Sequence, residues 1–361
     1  MIYYLIPNIT FRWLVMEILS KDKYSEYEDF VSHHPHGAFQ QSVQWGLVKD
    51  EWENEVVVSR DDKGNIKGGI FILIRKIGIK SMMYACRGPV CDYTDRETLL
   101  DLIDGVKQVG KKHNAYVFIA DPLVMVDDEK TIEFFKSCGL TIHEHAAFHD
   151  TIQPRYNYML NYIKGMSMDE LMLKMDRDTR YKMRYPYKKG VVYKNCGFEG
   201  LEDFYKIYSE TGIRQHFSIR PKNYFAKMLN AFGDNCRLYM AYYEDKPLCG
   251  GVAVQYAGTT SHVYGCSTAE MRNLRPTYGL QYELMKWATE GGCHTYDMQG
   301  VAPRPEDGEE LYRILEFKSN FSGRVIETAG EFKIVFDPIY EKAVDMALEV
   351  RRKIKSAKNH K

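Results

Sequence analysis

One order of elements occurs twice in this chain, and that recurrence constrains its fold more than any single motif. In the first half, Trp13 to Ile18 reads as a strand and Lys21 to Ser32 as an amphipathic helix that stops at the turn His33-His34-Pro35-His36-Gly37. Glu55 to Ser59 and Gly68 to Lys76 are strands joined by a turn at Asp61 to Asn65, and Ser81 to Cys86 is a third. Thr94 or Asp95 caps a helix that runs to about His113. Ala115 to Ala120 has the apolar run of a central strand and stops at Asp121-Pro122. Thr131 to Cys138 is then a helix, and Leu140 to His145 a strand.

The second half restarts the pattern. Thr151 to Tyr162 contains a strand, Ser167 to about Arg184 is one helix, and Gly190 to Lys194 is a strand. Helices follow over Gly200 to Thr211 and Lys222 to Phe232, joined by a loop rich in arginine, histidine and tyrosine. Cys236 to Glu244, Pro247 to Tyr256 and Thr259 to Gly265 form a meander. A helix over Tyr278 to Glu290 and strands at Thr295 to Met298 and Phe332 to Asp337 come next, before a last helix from Ile339. Such an order is that of an N-acyltransferase fold of the acetyltransferase (GNAT) kind, present twice as α/β domains with mixed sheets. The expected division is residues 1–150 with 335–361 as one domain and 151–334 as the other.

Bulk properties narrow the function. With 361 residues the chain is long enough for two cores. Lys+Arg and Asp+Glu are both 49, so any contact with nucleic acid must use a local basic patch. Such patches occur at Arg177 to Lys189 and at Arg351 to Lys358, and for each the ordinary alternative is a solvated helix face. The eight cysteines have no C-x-x-C pair and no zinc spacing, as expected for a reducing compartment and no metal. Nothing at the start reads as a secretory signal and no run has a membrane-spanning length, so a cytoplasmic protein is expected.

A GNAT enzyme needs a loop that cradles the pyrophosphate of CoA, and neither candidate stretch provides one. Arg272-Asn273-Leu274-Arg275-Pro276-Thr277-Tyr278-Gly279 has a single glycine and a proline that removes a donor; Arg87-Gly88-Pro89-Val90 is no better. A doubled acyltransferase fold without that loop calls for another acyl donor, and no cofactor is expected. In the stretch from Glu309 to Gly323, Lys318 sits in apolar company. There it is either a snorkelling side chain or a charge for an oxyanion. Trp45 and Lys49 are an i,i+4 pair, suited either to a cation–π contact or to a phosphate.

Several short motifs occur together in a fixed order: Gln44-Trp45-x-x-Val48-Lys49, Arg87-Gly88-Pro89-Val90, Tyr116-x-x-x-x-Asp121-Pro122 and Thr151-Ile152-Gln153-Pro154-Arg155. Arg220-Pro221-x-x-Tyr224-Phe225, Tyr264-Gly265-x-Ser267, Tyr296-Asp297-x-x-Gly300 and Phe317-Lys318-x-x-Phe321 complete the series. In this order and spacing the chain resembles the FemABX peptidyltransferases, and among them the short FemX-like members without a coiled-coil arm. The resemblance implies transfer of Ala, Ser or Gly from aminoacyl-tRNA to the side-chain amine of the third stem-peptide residue of a peptidoglycan precursor. The acceptor would be UDP-MurNAc-pentapeptide or lipid II, the latter allowing peripheral membrane association.

By the same resemblance, Lys49 and Arg220 would hold the diphosphate, and Tyr116, Tyr224 and Tyr264 would line the acceptor cleft near Trp45. Asp121 would lie close to the attacking amine. Lys318 would support the ester carbonyl, with Phe317 packed beside it. The chain departs from the family at Gln299, where a glycine is expected. Two other readings stand beside this one: a CoA-dependent N-acyltransferase, and a non-catalytic protein that binds cell-wall precursors.

Overall fold

A computed structural model describes residues 16–142, 151–215, 217–307 and 309–359. In chain order the strands are β1 (Met16–Leu19), β2 (Glu53–Arg60), β3 (Ile66–Ile77), β4 (Lys80–Ala85), β5 (Val90–Cys91), β6 (Ala115–Ala120) and β7 (Thr141–Ile142). The second half adds β8 (Tyr156–Leu160), β9 (Val192–Asn195), β10 (Cys236–Tyr243), β11 (Lys246–Tyr256), β12 (Thr259–Ser267), β13 (Thr295–Gly300), β14 (Arg324–Glu327) and β15 (Phe332–Val335).

They form two mixed sheets. One has the order β1-β2-β3-β4-β6-β15-β7, with β5 paired to β3; the other runs β9-β10-β11-β12-β13-β8-β14. The topology repeats: four antiparallel strands, then one parallel junction, β4 with β6 and β12 with β13. All six residues of β6 are buried, as a central strand covered on both faces requires.

The repeat has a twist. Beside β6 lies β15, from the end of the chain, and beside β13 lies β8, which enters directly after the first half. The exchange is one-way: the second half lends β15 to the interior of the first sheet, whereas every strand of the second sheet comes from the second half. Phe332, Lys333, Ile334 and Val335 all pair with β6, so the return to the first sheet begins at Phe332, before the expected boundary at 335. A shared apolar core joins the halves further. Tyr27, Phe39, Trp45 and Phe71 pack in one cluster with Phe204, Phe225, Phe232 and Leu238, and Phe39 meets Phe232 edge-on at 5.9 Å.

Local differences from expectation have local causes. The single helix expected over Ser167 to Arg184 is two, Met168–Leu173 and Arg177–Lys188. Asp176 starts the second by accepting from Thr179 N at 2.7 Å, which breaks the run. The strand Trp13 to Ile18 begins outside the described residues and is observed from Met16, and only Thr141–Ile142 of the strand Leu140 to His145 is described. Glu309–Lys318 is a helix and Arg324–Glu327 a strand, neither expected from the sequence. Of the basic run at Arg351 to Lys358, the backbone is helical and the side chains after Arg351 lie outside the described residues. Among the described residues no helix is long and apolar enough to cross a membrane, and no group of His, Cys, Asp and Glu could hold a metal.

Candidate active site

A cleft of about 1070 Å³ lies against the first sheet, and Trp45, Lys49, Tyr116, Arg220 and Tyr224 all line it. Ser42 caps the short helix Val43–Val48 by accepting from Trp45 N at 3.2 Å, and the helix ends at Lys49. Pro221 opens the helix Lys222–Phe232, which carries Tyr224 in its first turn and leaves Arg220 just ahead of it. The outcome is two cations on shared rings. Lys49 Nζ stands 4.8 Å from the ring centres of both Trp45 and Tyr224, and the Arg220 guanidinium is 5.4 Å from Tyr224. Burial first, and Arg220 second, pull Lys49 down to about 8. Two cations close together at the wall of a cleft have the charge and donor groups that anion recognition uses.

The other end of the cleft is acidic. Glu341, Asp345 and Glu349 line it, at successive turns of the C-terminal helix, while Glu331, also in the lining, stands nearer Asp121. Lys333 offsets them in part, at 3.7 Å from Glu341. The cleft is therefore bipolar along its length.

From its floor a buried ladder of alternating charge leads into the second half. Tyr84, at the floor, donates to Asp121 Oδ2 at 2.6 Å, and Asp121 Oδ1 accepts from Arg87 N at 2.6 Å. Arg87 Nη1 also donates to the Asp121 carbonyl at 3.3 Å. Burial lifts Asp121 to about 6, against the opposing pull of Arg87. Arg87 is shared electrostatically with Asp297, whose carboxyl burial also pushes up. Asp297 Oδ1 and Oδ2 accept from Gln299 N at 2.7 Å and Gln299 Nε2 at 2.6 Å. Lys318, only 8 % exposed, donates through Nζ to Gln299 O at 3.1 Å and Gly300 O at 2.9 Å. Burial lowers it to about 7, with Asp297 opposing. Arg87 and Asp121 lie just beyond the ends of β4 and β6, where open α/β sheets place their sites, and Asp297 lies within β13; all three strands stand at the parallel junctions.

The structure separates residues that the sequence grouped. Tyr264 stands behind Tyr224, its hydroxyl donating to that of Tyr224 at 3.3 Å, and is not among the cleft-lining residues. Asp121 lies beneath the cleft floor, covered by Tyr84. Phe317 packs edge-on to Tyr278 and Phe321, at 5.2 Å from each. Gln299 has a φ of +64°, the left-handed conformation for which a glycine is expected; Asp297 holds it there from both its backbone and side-chain nitrogens.

Sequence reasoning gave no role to Arg87, Asp297 or His262. Arg87 and Asp297 both stood in motifs named above, Arg87 just past a strand, where a role could have been read. His262 could not have been found in that way. Its Nδ1 meets Gln281 Nε2 at 3.2 Å, its Nε2 has no hydrogen-bond partner, and a Cβ on Gly251 or Gly265 would come within 2.8 or 3.0 Å of Nε2. Burial, with the charge of Lys318 behind it, holds this imidazole down at about 4, neutral at physiological pH.

A profile of the FemAB family matches residues 23–246 and 243–348, nearly the whole described chain. The chain belongs to the FemAB family. It is 30% identical over 331 residues to UDP-N-acetylmuramoylpentapeptide-lysine N(6)-alanyltransferase of Weissella viridescens, covering 90% of this chain and 97% of that protein. It is also 27% identical to lipid II:glycine glycyltransferase of Staphylococcus haemolyticus, covering 88% of this chain and 92% of the relative. The crystal structure of FemX superimposes with a TM-score of 0.82 at 23% identity, over 90% of this chain and 98% of that one. A tandem GNAT protein from the clavulanic acid pathway shares the fold at a TM-score of 0.53 and 9% identity. This FemAB protein therefore has two tandem GNAT-like units, and its named relatives are transferases that act on peptidoglycan precursors.

Proposed function

We infer that this FemAB protein transfers Ala, Ser or Gly from aminoacyl-tRNA to the side-chain amine of the third stem-peptide residue of UDP-MurNAc-pentapeptide or lipid II. The observation that carries this reading is the buried ladder from the cleft floor through Asp121, Arg87 and Asp297 to Lys318. The diphosphate would sit on Lys49 and Arg220, and the acidic end of the cleft would draw the amine-bearing stem. Asp121 takes a proton from the acceptor ammonium, and the free amine attacks the ester carbonyl. An amide C–N bond forms, the ester C–O bond breaks, and the ribose oxygen leaves with a proton. Lys318 faces the charge that develops on the carbonyl oxygen.

The test is a mass-addition assay with UDP-MurNAc-pentapeptide and alanyl-, seryl- or glycyl-tRNA. Added residue mass on the acceptor supports the reading; modification of an amine by acetyl-CoA alone, or precursor binding with no transfer from any donor, would sink it. The CoA alternative is poorly served by the helix after the meander, which begins at Pro276 and so presents one N–H fewer to a phosphate.

Two quantitative expectations follow from the electrostatics. Lys49→Ala should weaken calorimetric binding of UDP-MurNAc-pentapeptide roughly ten- to hundredfold while leaving turnover at saturating acceptor nearly unchanged. Unchanged affinity would remove Lys49 from the diphosphate site. The pH profile of kcat/KM should be a narrow bell. A base at Asp121 must be ionised, so activity rises through about 6; a charged Lys318 must be protonated, so activity falls through about 7. Asp121→Asn should lower the rate and flatten the acid limb; a profile that keeps that limb would exclude Asp121 as the group responsible.

A further inference from the structure

The helix Arg177–Lys188 carries a surface that the cleft does not use. Its outer stripe runs Arg177, Tyr181, Arg184 and Lys188, one turn apart, with Tyr185 beside it. Tyr181 is 52 % exposed, and its ring lies 5.5 Å from that of Tyr185. Lys189 Nζ stands 5.5 Å from the centre of the Tyr185 ring. The helix has one carboxylate, Asp178, and Lys182 pairs with it. Arg275 approaches Lys182 from the neighbouring loop, and Glu283 is occupied by the Tyr187 hydroxyl. The inner face, Thr179, Met183 and Pro186, is already buried. What remains outside is cation alternating with tyrosine and no aliphatic stripe. That composition suits phosphates and flat bases better than a lipid surface, which asks for Leu, Phe or Trp opposite the charges.

This surface is also continuous with Lys318. Lys182 Nζ lies 5.5 Å from the centre of the Tyr278 ring, Tyr278 lies 5.2 Å from Phe317, and Phe317 adjoins Lys318. Ser322 Oγ donates to Lys174 O at 2.8 Å, tying the turn after Lys318 to the segment just ahead of the basic helix.

We propose that the helix Arg177–Lys188 is the docking platform for the single-stranded 3′ segment of the RNA that carries the amino acid, its tyrosines stacking unpaired bases and its cations taking the phosphates. The proposal rests on the reading of the donor as aminoacyl-tRNA. Its test does not need transfer. The probe is a non-acylated RNA hairpin with a short unpaired 3′ tail, compared with the same hairpin cut blunt, followed by fluorescence anisotropy across a salt series. The tailed RNA should bind more tightly than the blunt one.

Arg177→Gln/Arg184→Gln/Lys188→Gln should weaken the tailed complex at least tenfold and shrink the salt slope by about 2, at about 0.7 per lost phosphate contact. Tyr181→Ala should weaken it on the order of tenfold with the slope unchanged. Unaltered affinity for UDP-MurNAc-pentapeptide in both variants shows that the fold is intact. Equal binding of tailed and blunt RNA, or equal binding by parent and variants, overturns the proposal. So does loss, in these variants alone, of binding to phosphatidylglycerol vesicles that the parent prefers to RNA. If the tailed RNA binds through this helix and no aminoacyl-tRNA donates, the platform stands and the functional reading fails. If transfer proceeds with the same KM for the donor in parent and variants, the functional reading stands and the platform fails.

Discussion

Lys318→Met should lower turnover by two to three orders of magnitude while the affinity for the acceptor changes less than twofold. The lysine is distant from the Lys49–Arg220 pair in role, and its ammonium is the buried cation held against Gln299 O and Gly300 O. A fixed donor aimed at a developing oxyanion contributes on that scale when water is excluded. Equal turnover in variant and parent would remove Lys318 from the chemistry.

The same substitution has a signature in stability. The folded lysine titrates at about 7 against an ordinary 10.5. Its burial cost is therefore fully present below about 7 and fades as pH rises toward 10.5, because over that range the unfolded chain binds the extra proton. Methionine carries no such cost. The melting temperature of the variant relative to the parent should thus be highest at or below pH 7 and should decline steadily toward pH 10. A difference that does not vary with pH would mean that Lys318 is not held in the depressed state.

Arg87→Met should be the most destabilising single change in the ladder, by about 3–5 kcal/mol, because it leaves buried carboxylates without their shared cation. Arg87 is 7 % exposed and stands between Asp121 and Asp297. Thermal unfolding at neutral pH measures the loss. Arg87→Lys keeps the charge but not the guanidinium reach, and should recover part of the stability. As pH falls and both carboxyls protonate, the deficit of Arg87→Met should narrow, since neutral carboxyls need no counter-charge. A loss below 1 kcal/mol would show that the two acids are neutral without Arg87, and that the ladder is not held together by charge.

Much of the fold could be read from alternation and punctuation. The meander β10-β11-β12 and the buried strand β6 announced themselves by period and by apolar content. The helix break before Arg177 was missed because Asp176 looks like one more polar residue until its bond to Thr179 N is seen. Residues with a local chemical signature could be singled out as candidates: Lys318 in apolar company, Lys49 beside Trp45, Asp121 after an apolar strand. What could not be read was long-range pairing. Asp297 meets Arg87 across more than half the chain, and nothing local to either marks the partner. His262 was hidden for a related reason: its setting is made by Gly251 and Gly265 on neighbouring stretches of sheet, where the informative feature is a missing side chain. Gln299 is the reverse case, since its departure from glycine was visible, and the bonds to Asp297 that make it tolerable were not.

The placement of β15 beside β6 has a consequence for how this protein can be handled and how it must form. A fragment ending near residue 150 would be a sheet with a gap between β6 and β7, and its complement would carry β15 with nowhere to put it. The first piece is therefore not a foldable module, whereas the second holds every strand of its own sheet. The second half closes the gap in the first, and the two share an apolar core, so they should melt together in a single cooperative step. A chain emerging residue by residue cannot complete its first sheet until its last strand is made.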